Sequence, residues 1–145
     1  MIYLPDVNIW IALTVAEHVS HEAALKWVQA ASGDTIALCR VTQMGFLRLL
    51  TNARVMASDV FTADRAWRLM DQIRQNDRVV FVSEPSGLEH TWRTMTGYHQ
   101  EGANFWTDTY LAAFAGATGH TLVTFDRGFR KYKNLPIQIL GDPRM

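Results

Sequence analysis

The sequence predicts an α/β fold, with a mostly parallel sheet of four to five strands covered by helices on both faces. Three observations carry this. Short apolar runs recur along the chain without alternating polar positions, the pattern of strands buried on both faces. Segments with helically spaced apolar residues separate those runs. A chain of 145 residues that alternates strand and helix in this way suits parallel pairing through crossovers, in one domain spanning 1–145.

The elements follow in order. Ile2-Tyr3-Leu4 is a buried strand halted by Pro5, which has no backbone donor, and it ends at Asp6. Val7 to Val15 reads as a short helix. Ser20 caps a second helix through Ala31, with Ala23, Ala24, Trp27, Val28 and Ala31 at helical spacing. Thr35 to Cys39 is the second strand, and Cys39, the single cysteine, reads as a small buried hydrophobe. Thr42 to Leu50 is a helix with Phe46, Leu49 and Leu50 inward. Thr62 caps the next helix, with Asp64 in its first turn and Trp67, Leu69, Met70 and Ile73 as core residues. Arg78 to Ser83, rich in β-branched residues and stopped before Pro85, is the third strand. Ser86 begins a helix through Met95. Asn104 or Thr107 caps another that stops at Gly119. Thr121 to Thr124 is the fourth strand, ended by Asp126, and Ile137 to Leu140 is an edge strand.

Composition narrows the function. Hydrophobic residues are 48% and charged residues 19%, as in an ordinary globular protein. No apolar run approaches the ~20 residues of a membrane span, and the N-terminus lacks a basic leader, so a cytoplasmic protein without membrane contact is expected. Fourteen cations balance fourteen acids, which disfavours nucleic-acid binding through bulk charge. A local stripe stays open, because Arg127, Arg130, Lys131 and Lys133 fall within seven residues. Zinc-like spacing, a phosphate-binding glycine loop and a Gly-x-Ser-x-Gly elbow are all missing from the sequence; His18 and His21 read as surface residues.

Three acids stand out. Asp6 and Asp126 each follow a predicted strand, and Asp108 opens a predicted helix. Taken singly, each has an ordinary reading: a turn acid bonding its own backbone, or a carboxylate favoured by the helix dipole. In a parallel sheet, however, ligands bind outside the carboxyl ends of the strands, so all three are expected at one rim. Clustered carboxylates repel unless a cation joins them, and hard oxygen donors suit Mg²⁺ or Mn²⁺. An aspartyl-phosphate phosphatase also begins with an acid after the first strand. It wants a second acid where Asn8 stands and a lysine at a later strand end, yet no lysine lies between Lys26 and Lys131.

The stretches Leu4-Pro5-Asp6-Val7-Asn8, His21-Glu22-Ala23-Ala24, Gly45-Phe46-Leu47-Arg48, Trp106-Thr107-Asp108-Thr109-Tyr110-Leu111 and Leu122-Val123-Thr124-Phe125-Asp126-Arg127-Gly128-Phe129 together resemble the PIN-domain family. More narrowly, the chain is similar to the VapC-type ribonuclease toxins, along nearly its whole length. The resemblance implies a three-layer α/β/α sandwich and Mg²⁺- or Mn²⁺-dependent hydrolysis of RNA. It also implies a cognate antitoxin and a homodimer. It makes Asp6, Asp108 and Asp126 the metal-binding and catalytic acids.

One departure matters. The family's further acid, in the helix after the second strand, is replaced by Gln43 or, in another alignment, by Gly45; no carboxylate lies between Asp34 and Asp59. Three carboxylates then predict one firmly bound cation, with Gln43 orienting a water or a carboxylate through its amide. Asn8 and Thr124 are expected to support the acids from behind. Arg48, Arg127, Arg130, Lys131 and Lys133 are expected to hold the RNA backbone, and Trp106 to stack on a nucleotide. Trp10, Trp27, Trp67 and Trp92 read as core or interface residues, and Trp10, Ile11, Trp27 and Met44 suit an antitoxin or dimer groove. Loss of the fourth acid also leaves open a module that binds RNA or a partner without cutting.

Overall fold

A computed structural model describes residues 1–97 and 102–141. Strands β1 (Ile2–Pro5), β2 (Thr35–Leu38), β3 (Val79–Phe81), β4 (Thr121–Thr124) and β5 (Ile137–Ile139) form one sheet in the order β3-β2-β1-β4-β5. Every pairing is parallel, with Tyr3 opposite Ile36 on one side and Thr121 on the other. The helices are α1 (Val7–Thr14), α2 (His21–Ala30), α3 (Arg40–Leu50), α4 (Ala53–Met56), α5 (Ala63–Gln75), α6 (Leu88–Thr96) and α7 (Phe105–Thr118).

Two cores lie on opposite faces of the sheet, which explains the continuous apolar strands. Leu4, Ala37 and Leu122 point to the α6 and α7 side, where Leu111, Phe114 and Phe129 fill the layer. Ile36, Leu38 and Val123 point the other way, onto Ile9, Trp27 and Phe46 of α1, α2 and α3. Strand side chains alternate between faces, so both sets must be apolar when helices cover both. This is the three-layer sandwich the resemblance implied.

Local chemistry sets the boundaries. Gly119, at φ 77, ends α7 in the left-handed conformation and returns its N–H to the Ala115 carbonyl at 2.8 Å. Arg78, just before β3, donates to the carbonyls of Ala31 at 2.6 Å, Asp34 at 3.1 Å and Val28 at 3.3 Å. Its guanidinium thereby closes the carboxyl end of α2, where unpaired carbonyls and the helix dipole favour a cation.

Several expectations are corrected. Helix α3 begins at Arg40 with Cys39 as its cap, not at Thr42, because the Thr42 hydroxyl accepts from the Cys39 N–H and closes the first turn. Helix α4 and the 3₁₀ turn Ala57–Asp59 had no apolar period to announce them. Trp67 is 51% exposed; Ala66 and Met70 occupy the inner line of α5, and the large ring one step away faces out. Trp10, Ile11 and Trp27 are buried in this chain's own core, so they do not line a groove.

Candidate active site

The sheet order creates the site. From β1 the chain builds outward through β2 to β3, whereas β4 lies on the opposite side of β1 and continues to β5. The two directions part between β1 and β4, and a crevice opens at their carboxyl ends. Asp6 follows β1 directly, and Asp126 stands two residues after β4. Asp108 reaches the same place from the first turn of α7. All three line one cleft of about 340 Å³, together with Arg48, Asn104 and Thr107.

A hydrogen-bond network stitches the two strand ends. The Asp6 N–H donates to the Val123 carbonyl at 2.7 Å and extends the ladder by one rung. Asp6 Oδ1 accepts from the Val7 N–H at 2.7 Å, which caps α1, and Oδ2 accepts from Thr124 Oγ1 at 2.9 Å. The Thr124 hydroxyl in turn accepts from Asn8 Nδ2 at 3.3 Å and from the Asp126 N–H at 3.0 Å. One donor and two acceptor sites exhaust what a hydroxyl offers. Asn8 Oδ1 also accepts from the Phe125 N–H at 3.3 Å, and Asp126 Oδ1 accepts from the Gly128 N–H at 2.8 Å.

That network makes Thr124 a single point of failure. Thr124→Val keeps the shape but removes the partner of the buried Asp6 Oδ2 and of the part-buried Asn8 Nδ2 and Asp126 N–H. The expected loss of stability is about 2 kcal/mol, with Thr124→Ser losing much less. Urea denaturation midpoints measure both; equal midpoints for Val and wild type would contradict the assignment.

Electrostatics mark the cleft as short of positive charge. Asp6 is 9% exposed, and burial raises its pKa against the lowering hydrogen bonds from Thr124 and Val7, with the Asp126 charge adding to the rise. Asp108 is pushed up to about 7, first by burial and then by the charges of Asp6 and Asp126, while Lys131 pulls the other way. Among the described residues no three His, Cys, Asp or Glu side chains already stand as a ligand cluster. The acids share the cleft, but mutual repulsion opposes closer approach, and Asp6 and Asp126 each commit one oxygen to a backbone N–H.

Helix α3 forms the opposite wall through Val41, Met44, Gly45, Arg48 and Leu49, a helical stripe. Gln43 lies off that stripe. It is buried, and its Oε1 accepts from Arg40, whose guanidinium lies 4.8 Å from the Phe81 ring centroid. Gln43, expected to orient a group in the site, is absent from the cleft lining and shares the buried side of α3 with Phe46 and Leu50. Gly45 does face the cleft, but a Cβ there would stand 2.7 Å from Val7 Cγ2, so α1 and α3 approach too closely for an acid at that position.

The expected RNA contacts divide. Arg48 lines the acid cleft and has no carboxylate partner among the described residues. Lys131 acts on Asp108, and with Lys133 it lines a second cavity. Arg127 and Arg130, on the 3₁₀ turn Arg127–Lys131 that follows Asp126, line neither space. Trp106 is 54% exposed and packs edge-on against Trp92 and Phe105, outside the cleft lining. Met44, expected in a partner groove, is a cleft residue. Asn104 and Thr107 were missed; their spacing of four and one before Asp108 would have found Asn104 on the same helix face.

Comparisons with known proteins agree with this geometry. The PIN domain family model matches residues 3–135. Similar curated proteins include Ribonuclease VapC41 of Mycobacterium tuberculosis, 38% identical over 95% of this chain and 98% of that one. Ribonuclease VapC38 of the same organism is 32% identical over 86% of this chain and 85% of its own. Among solved structures, VapBC2 of Rickettsia felis bound to a promoter DNA fragment superposes with a TM-score of 0.71 at 16% identity, covering 97% of this chain and 99% of that one. VapC20 of Mycobacterium tuberculosis, a sarcin-ricin loop cleaving toxin, gives 0.65 at 20% identity over 90% and 94%.

Proposed function

The chain belongs to the PIN domain family, and on that premise we propose that it is a metal-dependent endoribonuclease, the toxin of a toxin–antitoxin pair, acting as one domain over residues 1–145. The observation that carries the proposal is the delivery of Asp6, Asp108 and Asp126 from three separate elements to one cleft. A pocket of three carboxylates, one with its pKa pushed up to about 7 by burial and then by the charge of the others, fits a hard divalent cation.

Asp6, Asp108 and Asp126 would hold Mg²⁺ or Mn²⁺, which supplies a more acidic water and polarises a phosphoryl oxygen. The chain's own groups do the remaining work. Thr124 fixes one oxygen of Asp6 and the backbone of Asp126, and Asn8 fixes Thr124 and Phe125, so two of the acids keep their positions when the third moves. Arg48 lines the same cleft as the acids and would meet a phosphate held there. Partners are an RNA substrate, a cognate antitoxin protein and a second copy of the chain. No helix among the described residues is long and apolar enough to cross a membrane, and the cytoplasm is the proposed compartment.

The test is cleavage of structured RNA with Mg²⁺, Mn²⁺ or EDTA. Cation-dependent cuts at defined positions are expected; cutting that persists in EDTA would overturn the proposal. With three acids and Gln43 turned away, calorimetric titration with Mn²⁺ should find one firm site per chain. Two tight sites would contradict that count.

One observation favours a second reading, a module that binds RNA or a partner without cutting: the acids are not gathered into a finished ligand set. Tight partner binding with no cleavage of any structured RNA in Mn²⁺ would establish it.

A further inference from the structure

A second cavity, about 560 Å³, opens beside the acid cleft between α6, α7 and the segment joining β4 to β5. Phe105 and Tyr132 give it aromatic walls, Met95 and Leu135 an apolar floor, and Lys131 and Lys133 its charge; no carboxylate among the described residues lines it. Thr109, next in the chain to Asp108, lines this cavity while Asp108 lines the cleft. Lys131 belongs to the cavity yet acts on Asp108, and the Tyr132 hydroxyl, buried and without a hydrogen-bond partner among the described residues, feels both Asp108 and Asp126. Tyr132 thus lines the cavity while lying close enough to the acids to feel their charge, with Lys131 Nζ 5.3 Å from its ring centroid.

We infer that this cavity receives a nucleobase of single-stranded RNA next to the phosphate in the acid cleft, with Lys131 and Lys133 holding the intervening backbone. The inference rests on the ribonuclease reading and adds where sequence preference is read. An aromatic wall gives any base a stacking face, whatever the sequence. Two lysines, with no acid among the described lining residues, favour a polyanion over a basic peptide. The volume lies within the range of small-molecule sites. A chain held at the acids lies near the cavity, since the neighbours Asp108 and Thr109 of α7 line the two spaces.

Methyl NMR of the full chain in EDTA tests this without cleavage. Each of the four nucleoside 5′-monophosphates is titrated while the Met95, Thr91 and Leu135 methyls are followed, with ribose 5-phosphate and hexaglutamate as controls. At least one nucleotide should shift these methyls and bind about tenfold more tightly than ribose 5-phosphate. Thr91→Trp, which fills the cavity, should weaken that binding at least about tenfold, and the exposed Lys133→Ala about threefold. Equal binding of ribose 5-phosphate would reduce the cavity to an anion site and overturn the inference. So would methyl shifts from hexaglutamate but from no nucleotide, which would assign it to a protein partner. Cleavage with no nucleotide bound here would remove the cavity and leave the nuclease. Nucleotide binding without any cleavage would do the reverse.

Discussion

Asp6→Asn should fold normally and cut RNA at least about a hundredfold more slowly, the effect of removing a few kcal/mol of transition-state stabilisation. Folding is expected to survive because Asp6 is a buried acid whose pKa is already raised, so a neutral amide relieves the burial of charge. The amide oxygen can still accept from the Val7 N–H. The other position loses its acceptor for Thr124 Oγ1, a smaller local cost of about 1 kcal/mol. Activity is another matter, because an amide carries no charge with which to hold a cation. Thermal denaturation and RNA cleavage measured on the same preparation separate the two. A well-folded Asp6→Asn protein with full activity would remove Asp6 from the chemistry, and a protein that unfolds would refute the stability argument.

Cation affinity should rise steeply with pH, by up to about tenfold per unit between pH 5 and 7, where binding must displace one proton. Asp108, with a pKa of about 7, is the group that releases it. The sign for folding is opposite. In the cation-free chain Asp108 binds its proton more tightly when folded than when unfolded, since its pKa is raised well above that of an ordinary aspartate, to about 7. The folded state therefore holds more protons between about pH 4 and pH 7, and stability falls as pH rises through that window. Asp6, also raised, pushes in the same direction. Melting curves in EDTA should show Tm declining from pH 4.5 to 7.5, with a shallower decline in Asp108→Asn. Excess Mn²⁺ should reverse the trend. A Tm in EDTA that rises across this range would contradict the electrostatics assigned to the cleft.

Much of this was legible along the chain because each signal is local. Pro5 before Asp6, the β-branched run before Pro85 and the glycine after α7 mark their elements through backbone chemistry that needs no partner. The same holds for the position of each acid at a strand end or helix start. Side-chain direction was less legible. In α5 the residues 66, 69, 70 and 73 share a face, and Ala66, small and easily overlooked, takes the buried place that Trp67 was expected to fill. In α3 the helical stripe 41, 44, 45 and 48 reaches the cleft, and Gln43 falls outside it. Choosing the right stripe requires knowing which layer lies against it.

The order of residues determined the alternation of strand and helix, the parallel sheet and the three acids at its rim, all consequences of short-range backbone and burial preferences. Packing alone decided the rest. It set 118 residues of separation between Asp6 and Thr124 against one hydrogen bond, put Gln43 on the buried side of α3, and left no room for a Cβ at Gly45. It also placed Lys131 and Lys133 around a second cavity, with Lys131 still near enough to act on Asp108. Those outcomes depend on contacts between distant segments, whose distances no local pattern encodes.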